Sequence, residues 1–175
     1  GHQSEPVLAI TRLARAMNAQ TDGVYFRTTT ANSGQTVFIS PSVFNYYPPD
    51  YALSKSGAVA PEFAIYNTTS ALNRVNTAYA TVFGTINPDP TVFGATGTQF
   101  DLSPYTAVAG DSNALLDRVN DVLFAGRLSS SARTIIKAAV DAVAAVDTTT
   151  RARTALYLAS AAPESSTIAS ITSKI

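Results

Sequence analysis

The sequence contains no cysteine and a single histidine. The absence of cysteine excludes disulfides, thiolate nucleophiles and cysteine-ligated metal sites. The one histidine, His2, lies in the N-terminal segment Gly-His-Gln, and residues 1–3 are typical of the remnant of a cleaved tag. Without that residue the chain has no imidazole, which excludes Ser-His-Asp triads, imidazole general bases and histidine-ligated zinc. We therefore expect no catalytic residue, no metal site and no cofactor in this chain.

Charged side chains are also scarce. They make up 14% of the sequence, against about 25% in an average soluble domain. The twelve basic and twelve acidic residues give a net charge of zero, and no run of Lys or Arg provides the positive field that phosphate binding requires. We expect no nucleic-acid partner. A surface rich in Ser, Thr, Asn and Gln is typical of exported bacterial proteins, which predicts a periplasmic or extracellular location.

Long apolar runs are missing as well. A membrane-spanning helix needs about 18 consecutive apolar residues, whereas the longest candidate, residues 135–146, is interrupted by Lys137 and Asp141. We expect no membrane span. A helical pattern is already under way near residue 5, so we expect this chain to be the C-terminal part of a longer protein.

What the sequence does contain is helical periodicity in five segments. Apolar residues recur at helical spacing near residues 4–23, 60–84, 111–126, 129–147 and 148–164. Ser4 is the predicted N-cap of the first helix, Gly84 the C-cap of the second, and Asp111 or Ser112 the N-cap of the third. The fold class is therefore mainly α, with about five helices in a bundle that forms a single domain over residues 1–175.

Two long segments lack this period and are rich in Pro, Gly and aromatic residues. Residues 24–60 contain two stretches, VYFRTTT and QTVFIS, that predict a short β-ribbon near residues 24–39, with a turn at ANSG. Pro41, Pro48 and Pro49 then exclude regular structure. Residues 85–111 form the second irregular segment. We expect both to be ordered loops lying across the helices.

The first loop carries the candidate binding residues. The stretch SPSVFNYYPPDY, residues 40–51, contains four aromatic rings. One interpretation is a carbohydrate or polymer platform, because rings stack on the apolar faces of sugars. The other is that the rings anchor an irregular loop on the core. We expect Phe44 to be buried in either case, so the candidate residues at this site are Phe44, Asn45, Tyr46, Tyr47 and Tyr51, with the three tyrosines as the exposed members.

The carboxylates give no clear sign of chemistry. Glu62 in the Pro-Glu-Phe stretch could serve as a general acid, paired with Asp50, Asp101 or Glu164, but a first-turn carboxylate favoured by the helix dipole is the more common case. The calcium loop pattern is absent around Asp111, Asn113, Asp117 and Asp121. The i,i+4 spacing of Asp117 and Asp121 predicts a solvated helix face.

Three blocks occur in a familiar order. They are SGQTVFISPSVFNYYPPDY at 33–51, GAVAPEFAIYNTTSALNRVN at 57–76, and LLDRVNDVLFAGRLSSSAR with RARTALYLASAAPE at 115–133 and 151–164. Together they resemble the C-terminal half of the bacterial domain-of-unknown-function family 1800. The resemblance implies a helix-rich fold, a protein that is often exported, and a missing N-terminal half that this chain would contact. The family's terminal Ser-Pro-Glu-aromatic is replaced here by Ala162-Pro163-Glu164-Ser165.

These observations predict a non-catalytic binding or scaffold module of an exported bacterial protein. Its aromatic loop would engage a glycan or a protein partner. One alternative is the C-terminal fragment of a hydrolytic enzyme whose catalytic residues lie in the missing half. Another is a region that only dimerises or stabilises its own N-terminal half.

Overall fold

The protein is mainly α-helical. The computed structural model describes residues 2–53 and 56–168. Within these residues there are seven α-helices: α1 (Pro6–Ala16), α2 (Val24–Asn32), α3 (Thr68–Phe83), α4 (Ser103–Thr106), α5 (Ser112–Val119), α6 (Ser130–Asp141) and α7 (Thr148–Ala161). A π-helical turn (Asn120–Phe124) extends α5, and 3-10 turns span Pro61–Ala64 and Pro163–Ser166. No described helix is long and apolar enough to cross a membrane.

Two short antiparallel ribbons join distant parts of the chain. Strand β1 (His2–Gln3) pairs with β4 (Thr167–Ile168), and β2 (Gln20–Thr21) pairs with β3 (Thr98–Gln99). Each ribbon contains two residues per strand, so their stability comes from the helices that they connect.

Helix α7 lies at the centre of the bundle and packs against α3, α4, α5 and α6. The reason is its small inner face, where Ala152, Ala155 and Ala159 are completely buried beside Leu156. Alanine at these positions lets neighbouring helices approach closely. Larger side chains from the other helices fill the rest of the core: Met17, Val82, Tyr105, Leu115, Leu116, Val119, Phe124 and Val140.

The predicted β-ribbon near residues 24–39 was wrong, because residues 24–32 form helix α2. Threonine usually disfavours a helix through its branched side chain. Here the hydroxyls of Thr28, Thr29 and Thr30 donate to backbone carbonyl oxygens three or four residues earlier, which satisfies them inside the helix. The Tyr25 hydroxyl also lies 3.0 Å from Thr81 Oγ1 on α3. Tertiary packing therefore outweighs the local preference.

The predicted N-cap at Ser4 was also wrong. Glu5 occupies the cap position of α1 and makes no side-chain cap hydrogen bond. The backbone N–H of Ser4 instead donates to the Ser166 carbonyl oxygen at 2.6 Å. The cap is supplied from a distance, because Gln35 Oε1 accepts the N–H of Val7 at 3.0 Å.

Other predicted boundaries agree with the structure or differ by a turn. Asp111 caps α5, Gly84 is the C-cap of α3, and Pro163 follows the end of α7. The second predicted helix begins later than expected, because Asn67 and Ser70 form a reciprocal capping box at the start of α3.

Candidate functional site

The candidate site is the long loop between α2 and α3. Its first part is held by Gln35, which is buried although its side chain is an amide. Gln35 Nε2 donates to Glu5 Oε2 at 2.8 Å, and its carbonyl oxygen accepts from Val7 as described above. Because both ends of the amide are satisfied on α1, Gln35 fixes the loop to the helical scaffold.

Tyr46 closes the following turn. Its hydroxyl hydrogen-bonds the carbonyl oxygens of Thr36 and Ile39, the latter at 2.7 Å. The backbone between them turns sharply, with the Asn45 N–H donating to the Ser42 carbonyl oxygen at 3.1 Å. This phenol is committed to the loop's own backbone, so Tyr46 is an anchor of the loop.

The second part of the loop is held by backbone pairing. The N–H of Leu53 donates to the Ala58 carbonyl oxygen at 2.9 Å, and the N–H of Ala60 donates to the Tyr51 carbonyl oxygen at 2.8 Å. The 3-10 turn with Phe63 follows, and its ring meets that of Tyr66 edge-on at 6.1 Å. The loop is therefore ordered by specific contacts at both ends.

Large apolar side chains of this loop point into solvent. Phe38 is 103% exposed, Val43 94% and Phe44 59%. The expectation that Phe44 is buried was wrong, because the turn closed by Tyr46 places residues 43 and 44 at its tip. We call the most exposed set the apolar loop surface, which consists of Phe38, Ile39, Val43, Phe44 and Val59.

Phe38 also has an unusual backbone. Its φ of 66° lies in the left-handed region, which is uncommon for a bulky aromatic residue and costs on the order of 1–3 kcal/mol. An aromatic side chain that is held in a strained conformation and fully exposed gains nothing from the core.

The other four predicted binding residues differ in how far their side chains are exposed. Asn45 and Tyr51 are exposed, whereas Tyr46 and Tyr47 are half-buried, so only Tyr51 of the three tyrosines has the expected exposure. Phe38, Ile39 and Val59 were not predicted because they lie outside the stretch 40–51, and Val43 was not predicted because it has neither a ring nor a hydrogen-bonding group. The signal that could have found them is the occurrence of bulky apolar residues in a long segment without helical period, where no regular element can bury them.

Tyr47 faces the helical scaffold. The pKa of its phenol is raised to about 12, mainly by burial and also by the carboxylates of Glu5 and Glu62, while the Arg74 guanidinium opposes the rise. The loop therefore brings Tyr47 close to Glu5 on the N-terminal side of α1 and to Arg74 on α3. This cluster connects the loop to both helices.

Three of the carboxylates considered in the sequence, Asp101, Asp111 and Asp117, make structural contacts. Asp111 Oδ1 accepts the N–H of Asn113 at 2.8 Å, and Asp117 pairs with Arg133 at 2.8 Å. Asp101 Oδ1 accepts the N–H of Ser103 at 2.8 Å. Within residues 2–53 and 56–168, no three Asp, Glu, His or Cys residues lie together as a metal site would require.

Comparison with known families gives one result. A family model described as "Protein of unknown function (DUF1800)" matches residues 2–166, which is nearly the whole chain. No curated protein and no solved structure shows significant similarity to this chain.

Proposed function

This chain belongs to the DUF1800 family of proteins of unknown function, and we propose that it is a non-catalytic binding module that docks a partner protein through the apolar loop surface. The observation that carries the proposal is the exposure of five bulky apolar side chains on a loop that polar anchors hold in place. Apolar side chains of this kind form the buried centre of protein interfaces.

The composition of the surface favours a protein over a glycan. Sugar recognition uses exposed rings together with hydrogen-bonding groups. Tyr46 directs its hydroxyl to the loop backbone, and Tyr47 is half-buried. Ile39, Val43 and Val59 offer no hydrogen bonds but match an apolar protein surface. Each such side chain gains about 1.5–3 kcal/mol when it is fully buried.

Export to the periplasm or outside the cell is part of the proposal, and its support is the low charge and the Ser/Thr-rich composition. A partner met outside the cytoplasm would have to recognise apolar surface, because this chain offers little charge for electrostatic steering.

Site-specific photo-crosslinking tests the proposal. A photoreactive amino acid replaces Phe44 in one sample and the exposed Ile135 on α6 in the control sample, and both are irradiated with an extract of the producing organism. We expect a discrete protein adduct from position 44 only, and its loss when Val43→Ser and Val59→Ser are added. Identical adducts from both positions would rule out a specific surface.

A second experiment distinguishes a glycan ligand from a protein partner. Retention on insoluble polysaccharides is measured for the wild type and for Phe44→Ala and Tyr51→Ala. If retention depends on these rings and no protein adduct forms, the ligand of this surface is a glycan and not a protein.

A further inference from the structure

A cavity of about 90 Å³ lies where α1, α3 and the end of α7 meet. Its walls are mostly aliphatic and include Ile10 and Leu13 from α1 and Val75 and Ala78 from α3. Its lining includes none of the side chains of the apolar loop surface. A small cavity with only apolar walls binds apolar ligands, because it offers no hydrogen bonds or charges to a polar one. The charged groups in its wall make this one different.

Arg74 supplies the first charged group. Its Nη2 donates to the Ser4 carbonyl oxygen at 3.0 Å, and its guanidinium carbon lies 4.7 Å from the centre of the Tyr66 ring. Its other two nitrogens, Nε and Nη1, are shielded from solvent and have no hydrogen-bond acceptor among the described residues. Buried polar groups are almost always satisfied, so two orphan donors on one guanidinium indicate that an acceptor is missing.

Arg12 supplies the second charged group in the wall of the cavity. It lines the same cavity from α1, and its Nη1 donates to the Ser165 carbonyl oxygen at 3.2 Å. Within the described part of the chain, carboxylate partners are found for Arg133 and Arg151 on the other side of the bundle, whereas Arg12 and Arg74 contact backbone carbonyls. Both cations therefore retain donors for an anion.

We propose that this cavity binds a small carboxylate with a short aliphatic tail. A carboxylate is planar and offers two acceptor oxygens, which suit the donors of a guanidinium. The aliphatic walls accept a tail of a few carbons and disfavour a phosphate or sulfate, whose oxygens would all need donors. The ring of Tyr66 holds the Arg74 guanidinium in place before the ligand arrives, which lowers the cost of ordering it.

The electrostatics agree with this assignment. Burial lowers the pKa of Arg74, and the neighbouring Tyr66 and Tyr47 only partly oppose that shift. A bound carboxylate would supply the compensating negative charge for this half-buried cation.

The test uses butyrate and its neutral isostere butyramide on the full 175-residue chain. Binding is measured by calorimetry and by the NMR resonance of the Arg74 Nε–H group. We expect butyrate to bind and to shift that resonance, and butyramide to bind at least roughly tenfold more weakly, since a charge-assisted pair contributes more than a neutral one. An acetylated, amidated glutamate forms another arm. Stronger binding of this compound than of butyrate would identify a protein carboxylate as the natural occupant, and the reverse would identify a free acid.

Two variants keep the proposal testable if one fails to fold. Arg74→Gln removes the charge, and Ala71→Leu fills the cavity one turn before Arg74 while it leaves the guanidinium intact. We expect either change to weaken butyrate binding by about tenfold or more, and the control Arg133→Gln on α6 to leave it unchanged. Equal affinity for butyrate and butyramide, or wild-type affinity in a folded Ala71→Leu protein, would overturn the assignment.

Discussion

The phenol hydroxyl of Tyr105 donates a hydrogen bond of 2.7 Å to the backbone carbonyl oxygen of Ala16. Tyr105 lies on α4 and is completely buried, and Ala16 is the last residue of α1. The last carbonyls of a helix have no partner within it. This bond therefore satisfies an orphan group and connects the irregular segment before α5 to the first helix.

Replacement of Tyr105 by Phe should destabilise the protein measurably. The ring and its packing are retained, but a buried carbonyl loses its donor, which costs about 1–3 kcal/mol. Urea unfolding monitored by circular dichroism measures the free energy of unfolding. The control is Tyr79→Phe, where the hydroxyl belongs to an exposed side chain, and its effect should stay within about 0.5 kcal/mol. Similar losses in the two variants would contradict the structural role of the Tyr105 hydroxyl.

Arg151 should be more sensitive still. Although it is a buried cation, its guanidinium donates to the carbonyl oxygens of Ala109 at 2.7 Å, Gly110 at 2.8 Å and Val140 at 3.2 Å, and to Asp141 Oδ1 at 3.2 Å. Arg151→Met leaves these acceptors without their donor, so we expect a loss of about 3 kcal/mol or more in the free energy of unfolding.

The matched control for Arg151 is Arg133→Met. Arg133 forms an ion pair with the exposed Asp117 on the surface, and such pairs contribute about 0–1 kcal/mol. If both methionine variants unfold at the same urea concentration, Arg151 does not organise the end of α6 and the 107–110 segment as the structure indicates.

The sequence predicts well where periodicity and capping act locally. The segments that became α1, α5, α6 and α7 show strong helical spacing, and the caps at Gly84 and Asp111 follow from residue type alone. The prediction from sequence failed at α2, where Thr hydroxyls and the contact of Tyr25 with α3 decide the conformation. Those contacts link residues far apart in the chain, and no local pattern reports them.

The candidate site was predicted at the level of the loop and not of its side chains. Prolines and rings marked residues 40–51, but which rings face out depends on how the loop turns on the scaffold. The hydrogen bonds of Tyr46 and Gln35 set that orientation. Arg74 was not predicted, because its orphan donors follow from three-dimensional burial.

Asp22 predicts a specific response to acid. Its carboxylate accepts N–H groups from Val24, Gly97 and Thr96, which lowers its pKa below the ordinary value of 3.8. A depressed pKa in the folded state adds stability above the unfolded pKa, and this stability disappears as the pH falls through the folded pKa. We expect the stability of the wild type to fall between about pH 5 and pH 2 more steeply than that of Asp22→Asn.

Urea midpoints measured across that range provide the check for Asp22. A wild-type profile that is parallel to the Asp22→Asn profile would show that the clamp between the start of α2 and residues 96–97 is not formed in solution.

Tyr47 predicts a response at the alkaline end. Burial is the main cause that raises its pKa to about 12, from an ordinary value of 10.0. A raised pKa in the folded state means that its contribution is complete below the unfolded pKa and is lost as the pH rises from about 10 to 12. The urea midpoint of the wild type should therefore decrease more than that of Tyr47→Phe over this interval.

Ultraviolet absorbance of ionised tyrosine gives an independent reading. The difference between the titration curves of the wild type and Tyr47→Phe isolates this phenol, and its midpoint should lie near pH 12. A difference curve centred near the ordinary value would place Tyr47 in solvent and separate the loop from Glu5 and Arg74.

The π-helical turn after α5 carries a consequence for any comparison of this chain with others. The Asn120 carbonyl oxygen accepts from the N–H groups of both Ala125 and Gly126, and its side chain accepts from Leu128 at 2.9 Å. The wider turn shifts the phase of the helix by one residue, which corresponds to about 100° of rotation. Threading residues 112–124 onto a regular α-helix would leave Leu123 on the face of Leu116 and Val119 but would turn Phe124 away from the core that it fills. A comparison of this segment with a regular helix must therefore allow for the extra residue in the turn.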